Sequence, residues 1–157
     1  MKEKLTESGK DNVILIGMPG AGKSTLGIVL AKIMNYSFID ACGPEGFIEV
    51  ENQILSDISA EKTIIATGGS AVYSDAAMKH LGGIGRVVYL KISYDELKAR
   101  LTDFSERGVV LKGGIGMSLR ELYEERAPLY EKYADVTVNV DDLTITAAAR
   151  KVADALK

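Results

Sequence analysis

A chain of 157 residues, 46% of them hydrophobic, has room for one globular domain with a real core and not for two. Its formal net charge of −3, without any run of Lys and Arg, offers no electrostatic footprint for duplex DNA or RNA. A lone cysteine, Cys42, excludes an internal disulfide, and no paired Cys and His spacing suggests structural zinc.

Residues 1–11 are charged and lack the apolar stretch of a secretory signal, so a frayed tail is expected there. Apolar runs such as Val13-Ile14-Leu15-Ile16 and Val87-Val88-Tyr89-Leu90 fall far short of the roughly 20 residues a membrane-spanning helix needs. The expectation is a soluble monomer in a reducing cytoplasm, with neither nucleic acid nor membrane as a partner.

From Asn12 onward, short apolar runs alternate with helical patterns, which predicts an α/β fold: five parallel strands, buried on both faces, with crossover helices. The first strand, near 12–17, opens into Gly17-Met18-Pro19-Gly20-Ala21-Gly22-Lys23-Ser24, a match to G-x-x-x-x-G-K-[ST]. Glycines at 17, 20 and 22 let successive N–H groups turn inward, and the positive end of the following helix reinforces that nest for a triphosphate. The motif geometry assigns Gly20, Ala21 and Gly22 to the phosphate cradle of ATP. Lys23 then spans the β and γ phosphates, Ser24 ligates Mg²⁺, and Thr25 donates to the inner phosphates.

Leu26, Val29, Leu30, Ile33 and Met34 define the core face of the helix that follows. A second strand, near 37–40, ends in Asp40. A helix is expected near 45–59, then a third strand near 62–67 that ends in Gly68-Gly69. No acidic pair closes that strand, so a Walker B element is missing there, and the magnesium-holding acid is sought in Asp40 on a neighbouring strand. A helix near 75–81, a strand at 85–91 and a helix near 93–102 capped by Ser93 come next.

The stretch 103–116 has no apolar period, carries four glycines, and reads as a lid. Beyond it are a helix near 117–133, a strand near 135–140 and a helix near 144–156 capped by Thr144. Lid residue Arg107 is placed to stabilise charge on the transferring phosphoryl group. Arg126 shares an apolar stripe with Leu119, Leu122, Tyr123, Tyr130 and Tyr133, and has no carboxylate three or four positions away. Such a cation needs an anionic partner, either a bound carboxylate or phosphate or an acid distant in sequence.

Together the segments 17–25, Phe38-Ile39-Asp40, Thr67-Gly68-Gly69-Ser70-Ala71-Val72, Arg100, Arg107 and Arg126-Ala127-Pro128-Leu129-Tyr130 resemble the shikimate kinases. These are small P-loop enzymes that transfer the γ-phosphate of ATP to a hydroxyl of shikimate. The resemblance runs from about 12 to 156 and implies a P-loop NTPase fold. It also implies Mg²⁺ assistance from Ser24 and Asp40, adenine stacking on Arg100, acceptor contacts from Gly68 and Gly69, catalysis by Arg107 and acceptor-carboxylate binding by Arg126. Pro128 matches the family's break in this helix.

The chain departs from the family pattern on the acceptor side. Cys42 stands where a second aspartate is usual, Ile48 replaces an arginine, Ser70 replaces a third glycine, and only 41–46 separate Asp40 from Phe47. Glu45, Glu49 or Glu51 are the substitute bases in reach. Three readings follow: a shikimate-kinase-like phosphotransferase, a nucleotide-binding regulatory protein that has lost acceptor chemistry, and another metabolite or nucleoside kinase.

Overall fold

Five parallel strands form one sheet in the order β2-β3-β1-β4-β5. They are β1 (Asn12–Ile16), β2 (Ser37–Ala41), β3 (Thr63–Thr67), β4 (Gly85–Lys91) and β5 (Val136–Asn139). The computed structural model describes residues 11–41, 55, 56, 58, 60–105 and 118–157. Arg107, Cys42, Ile48, the three candidate glutamates, the tail to Lys10 and the lid from 106 onward lie outside the described residues. So does most of the helix expected near 45–59, of which Leu55 and Ser56 are helical.

The strands are where the apolar runs place them, but only the central ones are buried on both faces. Val13, Ile14, Leu15 and Ile16 of β1 are all fully buried, although neighbouring side chains point to opposite faces, so both faces of β1 are covered. The two edges differ from the expectation: Ser37 and Asp40 on β2 and Thr137 and Asn139 on β5 are exposed. An edge strand has one neighbour, and its outer positions stay in contact with water.

Among the described residues, five full helices connect and cover these strands: α1 (Lys23–Met34), α2 (Asp75–Ile84), α3 (Tyr94–Ser105), α4 (Leu119–Tyr133) and α5 (Ile145–Ala155). A short 3-10 turn, Ala71–Tyr73, links β3 to α2. Thr144 caps α5 by accepting from the Ala147 amide, and Ser93 accepts from the Glu96 amide at the start of α3, as expected. Ser118 and Glu121 form a capping box at the start of α4.

Three local expectations are corrected. On α1 Leu26 and Leu30 are buried and Val29 and Met34 pack against the core as expected, but Gly27 and Ala31 join that face and Ile33 is 44% exposed, because the stripe that meets the sheet also has to fit the small residues 27 and 31. The α3 helix continues to Ser105, into the stretch read as a lid, since nothing between 103 and 105 interrupts its backbone bonding. Pro128 does not break α4. It sits exposed inside the helix, where water can serve the Glu124 carbonyl that its missing N–H leaves behind.

Candidate active site

All five strands run the same way, so their carboxyl ends gather at one edge of the sheet, where open α/β sheets bind ligands. The turn after β1 has the backbone expected of a phosphate nest. Gly17, Gly20 and Gly22 have φ of 149°, 94° and 89°, in the left-handed region that side-chain-bearing residues avoid. Gly22 is the N-cap of α1 and makes no side-chain cap, so the first amides of the helix are directed at the loop mouth.

Lys23 is buried, and its ammonium group lies over the loop, donating to the Gly17 and Met18 carbonyls at 2.7 and 3.0 Å. Ser24 is half-buried and Thr25 exposed in the first turn of α1, directly after the loop. The Thr67 hydroxyl donates to the Leu15 carbonyl at 2.9 Å and fastens the end of β3 to β1 just before the loop.

Asp40 is less close than expected. β3 lies between β2 and β1, and the register pairs Asp40 with Ala66 and Ala66 with Leu15. Asp40 therefore stands two strand spacings from β1, roughly 9–10 Å, and faces the loop only across the end of β3. Hydrophobic runs identify strands without stating their order, so adjacency to the first strand was not readable from them.

After β3, Gly68 and Gly69 are buried, and Gly69 lies against α4. A Cβ at Gly69 would meet Arg126 Nη1 and Pro19 Cδ, each at 2.7 Å. Tyr130, one turn along α4, donates its hydroxyl to the Gly69 carbonyl at 2.7 Å and lies 3.7 Å from Met18 Sδ. Tyr130 in turn stacks on Tyr89 of β4, with ring centroids 5.1 Å apart. One stripe of α4 thus joins the phosphate loop to the Gly68-Gly69 loop.

Arg126 is 0% exposed, as its place on the stripe predicted. Its Nε donates to the Tyr73 hydroxyl at 3.2 Å, and Tyr73 donates to Glu125 Oε2 at 2.6 Å. Burial and the Glu125 bond raise the Tyr73 pKa by more than the neighbouring Arg126 charge lowers it.

Arg100, on α3, reaches the other side of the loop and donates to the Gly20 carbonyl at 3.0 Å. Its Nη2 is 3.6 Å from Glu96 Oε2, and Glu96 Oε1 accepts from the Asp142 amide at 3.1 Å. The turn after β5 is thereby linked to the phosphate loop. Sequence reasoning missed Tyr73, Glu125 and Glu96, whose partners are remote along the chain. The Tyr130 hydroxyl was inferable in kind, because a phenol on a buried stripe requires a partner.

A family model described as shikimate kinase matches residues 41–157, most of the chain. The chain belongs to the shikimate kinase family. The shikimate kinase of Pseudomonas paraeruginosa is 39% identical over 150 residues, covering 83% of this chain and 87% of that protein. The solved shikimate kinase of Bacteroides thetaiotaomicron is 27% identical with a TM-score of 0.70, covering 92% of this chain and 97% of that one. A shikimate kinase from Acinetobacter baumannii, solved in complex with shikimate, superimposes with a TM-score of 0.75 at 23% identity, covering 99% and 97% of the two chains.

Shikimate kinases are ATP-dependent phosphotransferases. Their α/β P-loop architecture is the one found here. No helix among the described residues is long and apolar enough to cross a membrane.

Proposed function

We propose that this chain transfers the γ-phosphoryl group of ATP to a hydroxyl of shikimate or a similar small hydroxylated acid. The observation that carries this reading is the position of Arg126: a fully buried guanidinium packed on Gly69 and Pro19, where the phosphate loop meets the acceptor loop. A planar, always-charged fork in such a place suits a carboxylate, which it grips through two parallel hydrogen bonds.

The inward amides of Gly20 to Gly22 and the α1 N-terminus hold the β and γ phosphates, with Thr25 on the inner ones. Lys23 is buried at the loop, so moving its ammonium group from two carbonyls to phosphate oxygens needs only a side-chain rotation. There it offsets the charge that spreads over the transferring group in a loose transition state. Arg100 sits between Gly20 and Glu96 where the nucleotide base leaves the phosphates, and Gly68, Gly69 and Arg126 orient the acceptor. Arg107, outside the described residues, is assigned the further positive charge that stabilises the transferring group.

The donor set is compatible with magnesium. Ser24 and Asp40 are hard oxygen donors at one sheet edge, and Mg²⁺ bound with a triphosphate needs only one or two protein ligands. Ser24 and Asp40 would hold the ion, which would supply positive charge to offset that of the phosphates.

The test is an ADP-release assay with purified chain, MgATP and a panel of hydroxylated acids led by shikimate. Shikimate-dependent turnover is expected. ATP binding without turnover on any acceptor sinks the reading and favours a regulatory nucleotide-binding protein, while turnover only on an unrelated alcohol or nucleoside favours another kinase.

A further inference from the structure

Tyr73 closes the 3-10 turn after Gly68-Gly69, and its hydroxyl stands between a buried cation and an exposed anion. A guanidinium can only donate, so at 3.2 Å from Arg126 Nε the phenol oxygen is the acceptor. Its proton is then committed to Glu125 Oε2, 2.6 Å away. Burial and that carboxylate keep the phenol protonated well into the alkaline range, so the arrangement persists wherever the enzyme is assayed. Meanwhile the guanidinium carbon lies 5.3 Å from the centre of the Tyr73 ring. One side chain therefore engages Arg126 at its Nε edge through the hydroxyl and through the ring face, while the Nη1 end lies against Gly69.

We propose that Tyr73, polarised by Glu125, is a positioning residue that fixes the plane of the Arg126 guanidinium so that its terminal nitrogens meet the carboxylate of the acceptor. This rests on the reading of Arg126 as the carboxylate-binding residue. An arginine has four rotatable bonds, and a two-point grip on a carboxylate works only when the fork is already in plane with it. Holding the Nε edge removes that freedom before the acceptor arrives, and the ordering cost is not charged to binding. Glu125 acts one step back. Its negative charge draws the phenol proton toward itself, making the oxygen a better acceptor for Nε–H and offsetting part of the cost of burying Arg126.

Steady-state kinetics on the full chain with shikimate and ATP test the proposal, with Arg126→Lys as the reference because it keeps the charge and loses the fork. Tyr73→Phe, which keeps the ring, is expected to raise the shikimate KM about tenfold and leave the ATP KM nearly unchanged, with some fall in melting temperature because the buried Arg126 Nε–H loses its acceptor. Glu125→Gln, at an exposed position, is expected to move the shikimate KM the same way by about threefold. It is expected to add nothing in the Tyr73→Phe background, since it acts only through the phenol. An unchanged shikimate KM in Tyr73→Phe, or shikimate and ATP KM values that rise together, overturns the proposal. If Arg126→Lys raises the shikimate KM and Tyr73→Phe does not, the Arg126 reading stands and the Tyr73 role is lost. If Arg126→Lys is silent, or the wild-type chain does not turn over shikimate, the functional reading falls and takes the Tyr73 role with it.

Discussion

Gly69 and Arg126 are packed so closely that the first carbon of any side chain at position 69 would stand 2.7 Å from Arg126 Nη1. Pro19 closes the same space from the phosphate loop, with its Cδ at 2.7 Å and its Cγ at 2.9 Å from that carbon. Gly69→Ala is expected to lower stability by about 1–3 kcal/mol, the usual cost of overpacking. It should also weaken the acceptor more than ATP, because the displaced group is Arg126. Denaturant melts with paired KM measurements check both, and an unchanged midpoint would contradict the contact.

Tyr130→Phe keeps the stacking on Tyr89 and removes only the hydroxyl that bonds the Gly69 carbonyl. That carbonyl sits in a buried loop, so the expected loss is about 1–3 kcal/mol, the range for leaving a buried group unsatisfied. Urea unfolding measures it. A loss below experimental error would mean that water reaches Gly69.

Lys23→Ala removes the ammonium group from the phosphate loop and from the Gly17 and Met18 carbonyls. ATP affinity should fall by roughly ten- to a hundredfold, as for one charge-assisted contact. The nucleotide-dependent rise in melting temperature should nearly vanish. Calorimetric titration giving wild-type affinity would remove the assigned ATP site.

Arg100→Ala and Glu96→Gln both disturb the link from the Gly20 carbonyl through Arg100 to the turn at Asp142. The ATP KM is expected to rise about threefold to tenfold in either variant, with the shikimate KM unaltered. An equal change in both KM values would show a general loosening and not a role on the nucleotide side.

Asp75, in the first turn of α2, has its pKa lowered from 3.8, first by the bond from Tyr133 and then by Lys79. A depressed folded-state pKa stabilises the fold above the unfolded value and loses that contribution as pH falls through the folded one. The stability gap between wild type and Tyr133→Phe should therefore be largest above about pH 4 and shrink toward pH 2. Urea melts across that range decide it, and a gap that ignores pH would detach Tyr133 from Asp75.

Much of the nucleotide half is local, which is why it was legible. Gly17, Gly20 and Gly22 state their own backbone requirement, and Lys23 to Thr25 follow within one helical turn. The burial of Arg126 was readable from period alone, since Leu122 and Tyr130 flank it at four-residue spacing. What it packs on was not readable. Asp40 was placed beside the first strand when β3 in fact intervenes, because each apolar run fits the centre of a sheet equally well.

The amino-acid order by itself determined which backbone turns would point amides inward, which segments would be strands, and which cation would be buried, because each depends on residues a few positions apart. Only the tertiary structure decided that Gly69, Pro19, Tyr73 and Arg126 share one corner and that Asp40 stands two strands from β1. Hydrophobic burial drives the chain to cover its apolar faces but is non-directional. The partner of each face is settled by sheet order and side-chain fit across distant segments.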